Sequence, residues 1–222
     1  MRFAILCERS GIVRDAFIAA GHIAVSFDIE QSDRTGPHIQ GDIRDFEEYI
    51  LLFDVIIAFP PCTYLSSVGN RAMKEKPARR LQRKKAYDFC MWIWGLNVKR
   101  KCIENPVGYL NGRFPSPDPE NPDKSIVKKP QIIHPWYFGD REMKKTCLFL
   151  DELPPLIHSE GDMFYERTHT DKPEPYYQHK QGKKKGQNVY FVEAQTPSKD
   201  RQKIRAETFP GVANAMTQWG NL

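Results

Sequence analysis

Cys62 stands at the end of the stretch Asp54-Val55-Ile56-Ile57-Ala58-Phe59-Pro60-Pro61-Cys62. The apolar run reads as a buried parallel strand. The two prolines end it, because each fixes φ and removes a backbone donor. A thiol is thereby placed on a rigid turn at the carboxyl end of a strand, where open α/β sheets hold their ligands. Such a thiol is a candidate nucleophile; the competing interpretation is a small apolar cysteine after an ordinary turn. Other groups suited to chemistry recur at strand ends. Asp28 closes the run Ile23 to Phe27, Asp42 follows Ile39-Gln40-Gly41, and Glu104-Asn105-Pro106 follows Lys101-Cys102-Ile103. A carboxylate after a second strand can accept hydrogen bonds from ribose hydroxyls, or it can cap a loop. Glu104 is either an acid held beside Cys62 from the neighbouring strand or part of the turn that Asn-Pro signals. A glycine turn, Asp28, Asp42 and Cys62 at successive strand ends describe a nucleotide-like ligand across one edge of a parallel sheet, with a nucleophile beside it.

The elements that would position these groups alternate between strand and helix. Phe3 to Cys7 is a first strand, Ser10 and Gly11 suit a helix start, and Val13, Ala16, Phe17 and Ala20 recur at helical spacing before Gly21. With the strand Ile23 to Phe27 this makes a βαβ-type unit. Phe46, Tyr49, Ile50 and Phe53 form a helical face. Residues 71–88 are strongly basic and pass into an amphipathic helix over Ala78 to Val98, whose Trp and Met residues are expected in the core. Pro115, Pro117, Pro119, Pro122 and Pro130 interrupt residues 108–130, which read as one extended loop. Ile132 to Gly139 reads as a strand and turn, and Lys144 to Leu150 as a strand opened by basic residues. Between His158 and Gln187, Tyr165, Tyr176, Tyr177 and His179 lie among lysines. That pattern suits a strand of nucleic acid and equally an ordinary loop-rich surface. Val212, Ala213, Met216 and Trp219 give a final helix its apolar face after Phe209-Pro210-Gly211.

The bulk composition is that of a globular protein with a core: 222 residues, 40% of them hydrophobic. The net charge of +5, from 33 basic and 28 acidic residues, permits nucleic-acid binding without establishing it. The basic residues cluster at Arg79, Arg80, Arg83, Lys84 and Lys85 and again at Lys180, Lys183, Lys184 and Lys185. Five scattered cysteines without a C-x-x-C pair argue against a zinc ribbon or a redox motif. Met1-Arg2-Phe3 runs straight into a strand, so no signal peptide is expected, and no apolar run has the length of a membrane helix. An intracellular, cytoplasmic protein with free thiols is expected.

These residues also carry a family resemblance. Pro60-Pro61-Cys62 with Ser66 and Gly69 resembles the P-P-C-x-x-x-S-x-x-G motif of cytosine-C5 DNA methyltransferases. Glu104-Asn105-Pro106 is similar to their E-N-V motif, and Gly41-Asp42-Ile43 to their G-D-I motif; the order agrees over residues 3–110. Across the whole chain, Cys7-Glu8-Arg9-Ser10-Gly11, His38-Ile39-Gln40-Gly41-Asp42, Trp136-Tyr137-Phe138-Gly139-Asp140 and the terminal Pro210-Gly211 to Met216 resemble short, phage-type members of that family. The chain departs from the larger members in three places. The F-x-G-x-G turn is replaced by Cys7 to Gly11, only Lys144-Lys145-Thr146 stands for the basic Q-R-x-R motif, and no large target-recognition domain is present.

The resemblance implies a Rossmann-like, class I S-adenosylmethionine-dependent methyltransferase fold, α/β with a mostly parallel sheet flanked by helices. It implies one domain over 1–222, with an irregular loop-rich insertion at 108–200 in place of a recognition domain and a C-terminal helix at 201–222 returning to the catalytic core. The implied activity is methyl transfer to C5 of cytosine in DNA. Cys62, Glu104 and Asn105 would be catalytic, and S-adenosylmethionine would lie against Cys7, Gly11, Asp28, Asp42 and Pro60. Pro61, Ser66, Lys144 and Lys145 would meet the substrate. Alternatives are C5 methylation of a free pyrimidine nucleotide and a catalytically silent nucleic-acid-binding module on the same fold. A dinucleotide oxidoreductase is disfavoured by the missing G-x-G-x-x-G turn. No metal and no membrane partner is expected.

Overall fold

The computed structural model describes residues 1–67, 70, 76, 78–117, 125–127, 129–158, 172–182, 185–190, 194 and 208–222. Seven strands form the central sheet: β1 (Arg2–Leu6), β2 (Ile23–Asp28), β3 (His38–Gln40), β4 (Val55–Ala58), β5 (Arg100–Pro106), β8 (Gln131–Ile133) and β9 (Thr146–Asp151). Two short ladders lie outside it, β6 (Pro115–Pro117) with β7 (Ser125–Val127) and β10 (Tyr177–Gln178) with β11 (Asn188–Val189). The sheet order is β3-β2-β1-β4-β5-β9-β8. The first five strands in that order are parallel, and β9 runs antiparallel to both β5 and β8. An antiparallel strand inserted beside β5 sets this sheet apart from the all-parallel 3-2-1-4-5-6 order of dinucleotide-binding folds.

The sheet is apolar on both faces, as a largely parallel sheet must be. Phe3, Ile5, Val55, Ile57 and Cys102 point to one side, where helix α1 (Ile12–Ala19) and the C-terminal helix α4 (Pro210–Met216) cover them with Val13, Phe17, Val212 and Met216. Ala4, Leu6, Ile56, Ala58 and Ile103 point to the other, beneath α3 (Ala78–Gly95), which buries Cys90, Ile93 and Trp94. A short helix α2 (Glu47–Ile50) continues a 3-10 turn at Ile43–Phe46. α1 is capped by the buried carboxylate of Glu8, whose Oε1 accepts from the Val13 amide at 3.1 Å and the Ser10 hydroxyl at 2.8 Å. No described helix is long and apolar enough to cross a membrane.

Several sequence expectations are corrected in detail. Residues 108–200 are not uniformly irregular, since β8 and β9 from this region complete the central sheet. Pro115 and Pro117 sit in a two-stranded ladder, where a missing donor can face away from the partner strand. The strand expected to stop at Ile103 continues through Glu104, Asn105 and Pro106, because β9 pairs with it as far as Pro106↔Thr146. α3 ends at Gly95, three residues short of Val98. The last helix begins at Pro210, with a 3-10 turn (Thr217–Asn221) after it. Gly69, most of 71–77, Lys183, Lys184 and Tyr165 lie outside the described residues.

What positions the Pro-Pro-Cys segment is a seam between it and the chain leaving β5. The Ser67 amide donates to the Val107 carbonyl at 3.1 Å, and the Tyr109 amide to the Leu65 carbonyl at 2.7 Å. Ser66 and Gly108 pair as an isolated antiparallel bridge. The two backbones approach so closely that a Cβ on Gly108 would lie 2.1 Å from the Leu65 carbonyl oxygen. Gly108→Ala is therefore expected to destabilise the protein by about 1–3 kcal/mol and to loosen the Cys62 loop. Urea unfolding together with proteolysis of the loop reads both effects, and an unchanged midpoint with an unchanged cleavage rate would count against the seam.

Candidate active site

Because the parallel strands share one direction, Cys7, Asp28, Asp42 and Cys62 all emerge at the same edge of the sheet. Cys7 follows β1 in the left-handed region at φ 57°. Burial pushes its thiol well above the ordinary range, with further upward contributions from Asp28, Cys90 and Asp42, so the thiol and both acids form one cluster. Asp28 is half-buried and accepts from the Glu30 amide at 2.9 Å; burial raises its carboxyl. Asp42 caps the 3-10 turn that follows it. It accepts from the Arg44 amide at 3.0 Å and from the Arg44 guanidinium, whose hydrogen bond brings its carboxyl down to about 2.

Gly11 has a reason to be glycine besides the turn. Its φ is +72°, and a Cβ there would meet the Arg14 guanidinium at 2.6 Å. That guanidinium is fully buried and donates to Ser26, Ser32 and the carbonyls of Arg34 and Thr35, tying the loop after β2 to α1. Arg14 was not singled out from the sequence, and neither was Glu8. The second carboxylate oxygen of Glu8, Oε2, is buried and has no hydrogen-bond partner among the described residues. A carboxylate two residues before a Ser-Gly helix start was the available signal for Glu8.

The second half of the edge is built by β4 and β5. Pro60 is buried, Pro61 exposed and Cys62 half-buried. The Cys62 carbonyl accepts from the Leu65 and Ser66 amides, both at 3.0 Å, which curls the loop into a turn. Asn105 is fully buried and donates from Nδ2 to the Pro60 carbonyl at 3.0 Å. Side chains alternate along a strand, so Glu104 faces the opposite side. There it lines a cavity with Phe59, Lys144, Phe209, Val212 and Met216. The free space is about 20 Å³, room for one ordered water. Burial pushes the Glu104 carboxyl above the usual range, and the Lys144 ammonium partly opposes this. Lys144 also lies 5.8 Å from the Phe209 ring centre.

The predicted residues thus divide into groups. Glu104 and Lys144 share a cavity, whereas Lys145 is exposed and does not line it. Asn105 serves the loop rather than the cavity. Ser66 bridges to Gly108. Phe59 and Phe209, missed in the sequence, supply the apolar walls; only their tertiary position marks them. Burial raises the thiols of Cys7, Cys90, Cys102 and Cys147, that of Cys90 to about 12. Cys90, Cys102 and Cys147 are buried and Cys7 and Cys62 partly exposed; with the Cys7 thiol raised, Cys62 is the candidate nucleophile. No cluster suited to a metal ion occurs among the described residues. No protein-family model matches the chain, and no curated protein matches it.

A partly buried glutamate whose carboxyl is raised in the folded state binds a proton more tightly there than when unfolded. Its contribution to stability is full at low pH and is lost as pH rises through the folded value. Glu104→Gln is therefore expected to raise the urea midpoint relative to wild type at neutral and higher pH and to leave it unchanged near pH 4. An equal midpoint difference at all pH values would show that Glu104 carries no such strain.

Proposed function

We propose that this protein is an S-adenosylmethionine-dependent methyltransferase that methylates C5 of cytosine in DNA through a covalent bond between Cys62 and C6. The observation that carries the reading is that Cys62 follows β4 while Glu104 lies in the adjacent parallel strand β5, whose next residue, Asn105, donates to the Pro60 carbonyl. The mostly parallel α/β sheet is compatible with the methyltransferase fold.

The acids of the first half of the edge fit the cofactor's chemistry. Asp28, Asp42 and the unpartnered Glu8 Oε2 suit a ligand bearing a sulfonium, an ammonium and ribose hydroxyls. When bound, S-adenosylmethionine would supply an electrophilic methyl group. Cys62 as thiolate adds its electron pair to C6 of the ring, and the C5–C6 π pair becomes available at C5. Glu104, whose carboxyl burial raises, donates a proton to N3 as negative charge builds there. After C5 has gained the methyl group it loses its proton to a base or water. The pair left by that C–H bond re-forms the C5–C6 double bond, N3 returns its proton to Glu104, and Cys62 departs as thiolate. A cavity of about 20 Å³ is smaller than a pyrimidine ring, so Phe209 and Lys144 must shift when the base enters. A duplex would present that base flipped out of its stack.

Labelled S-adenosylmethionine with DNA or with dCMP as acceptor tests the reading. Wild-type protein is expected to label DNA. Cys62→Ser should lose at least about 1,000-fold in rate, and Glu104→Gln about 100–1,000-fold. DNA carrying 5-fluorocytosine should trap the Cys62 adduct, because fluorine cannot leave as a proton. Labelling of dCMP in place of DNA would move the acceptor to a free nucleotide. No labelling of either, with Cys62→Ser indistinguishable from wild type, would sink the proposal.

A further inference from the structure

Three guanidiniums surround the seam beside Cys62 in a way that the methyl-transfer chemistry does not require. Arg79 lies over the Tyr64 ring at 5.0 Å, and Arg83 and Arg113 both lie over the Tyr109 ring, at 4.9 and 4.0 Å. Tyr87 meets Tyr109 edge-on at 5.8 Å. The hydrogen bonds of these arginines run to neutral oxygens. Arg83 donates to the Tyr64 carbonyl and to Asn70 Oδ1, both at 2.8 Å, and Arg113 donates to the Tyr109 carbonyl at 2.8 Å. Arg79 Nε has no partner, and none of the three forms an ion pair among the described residues. The guanidiniums are thus set by rings and carbonyls, with no carboxylate paired to any of them among the described residues.

We propose that Arg79, Arg83 and Arg113, laid on Tyr64 and Tyr109, form a shelf that grips the phosphodiester backbone of a nucleic-acid strand next to the Cys62 loop. Planar guanidiniums match phosphate oxygens in a way that ammonium groups do not. Each of the two rings already carries at least one guanidinium. Contacts to phosphate position a strand without reading its sequence. The shelf names the partner of the site proposed above and rests on that reading for its purpose, but its binding is measured separately.

The test is fluorescence anisotropy with labelled single-stranded DNA, duplex DNA and RNA over a range of salt concentrations. Two triple variants are compared with wild type, all three arginines changed to Gln or all three to Lys, with thermal melting as a check on folding. Each lost phosphate contact should lower the slope of log affinity against log salt by about 0.7 on single strands and about 0.9 on duplex. The Gln variant is expected to lose about two to three in slope, while the Lys variant keeps most of it at weaker affinity. Equal losses on DNA and RNA assign the shelf to phosphodiesters in general, and a loss on DNA alone assigns it to DNA. An unchanged slope in the Gln variant, or a Lys variant as impaired as the Gln one, overturns the proposal. A slope that falls as expected in a protein that transfers no methyl group would remove the methyltransferase reading and leave the shelf standing.

Discussion

The Pro60-Pro61 turn cannot satisfy its own backbone. Two consecutive residues without an N–H leave a buried carbonyl at Pro60 that needs a donor from elsewhere. Asn105 supplies it from the neighbouring strand. Much of the site follows from that requirement. Alternation along β5 sends Glu104 to the opposite face of the sheet, into the cavity beneath α4. The strand must run on past Ile103 to carry Asn105, and the antiparallel β9 holds it there through Pro106. The chain leaving β5 then lies so close to the Cys62 loop that Gly108 alone can pass. Leaving a buried carbonyl unpaired costs about 1–3 kcal/mol, enough to keep loop and strand registered with one another.

The C-terminal helix belongs to the same construction. It is too short to be stable by itself, and it is fixed by what it touches. The Gly211 amide donates to Asp140 Oδ2 at 2.9 Å, and Trp219, fully buried, donates to the Pro154 carbonyl at 2.9 Å. The helix brings Val212 and Met216 over the Glu104 carboxyl, and the turn before it brings Phe209. Those apolar groups are the physical cause of the raised carboxyl: they exclude the water that would stabilise its charge. The Lys144 ammonium partly opposes the effect.

Much of this was legible in the sequence because it rests on short-range patterns. Buried strands are continuous apolar runs, and Phe3 to Leu6 and Val55 to Ala58 are entirely buried. Two prolines after such a run mark a loop whatever the tertiary structure. The acids after β2 and β3 were legible as strand-end groups for the same reason. What was hidden depends on partners far along the chain. The strand character of Asn105 and Pro106 comes from pairing with residues near 146. The engagement of Asp42 by Arg44 is local, yet a G-D-I pattern gives no warning of it. Lys144 and Lys145 look equivalent in sequence, yet Lys144 lines the cavity and Lys145 does not. The charge run from Arg79 to Lys85 was plain, but its arginines acquire their geometry from Tyr64 and Tyr109, which arrive from two other segments.

The distribution of charge around the edge separates two tasks that one acidic or one basic cleft would confuse. Around Cys7 the acids Asp28 and Asp42 raise the thiol and add to the effect of burial, so a thiolate is suppressed at the part of the edge that suits a cationic ligand. Beyond Pro61 the neighbours change sign. Arg79 and Arg83 lie against Tyr64, two residues past Cys62, with no carboxylate paired to either among the described residues. Positive charge at that end favours anions of either kind, a thiolate or a phosphate. The crossover falls at the Pro-Pro turn itself, between a half of the edge suited to positive ligands and a half suited to negative ones. The reaction proposed above, in which a cationic donor meets a polyanionic acceptor, calls for both fields close together but not overlapping, and the rigid proline turn lies between them.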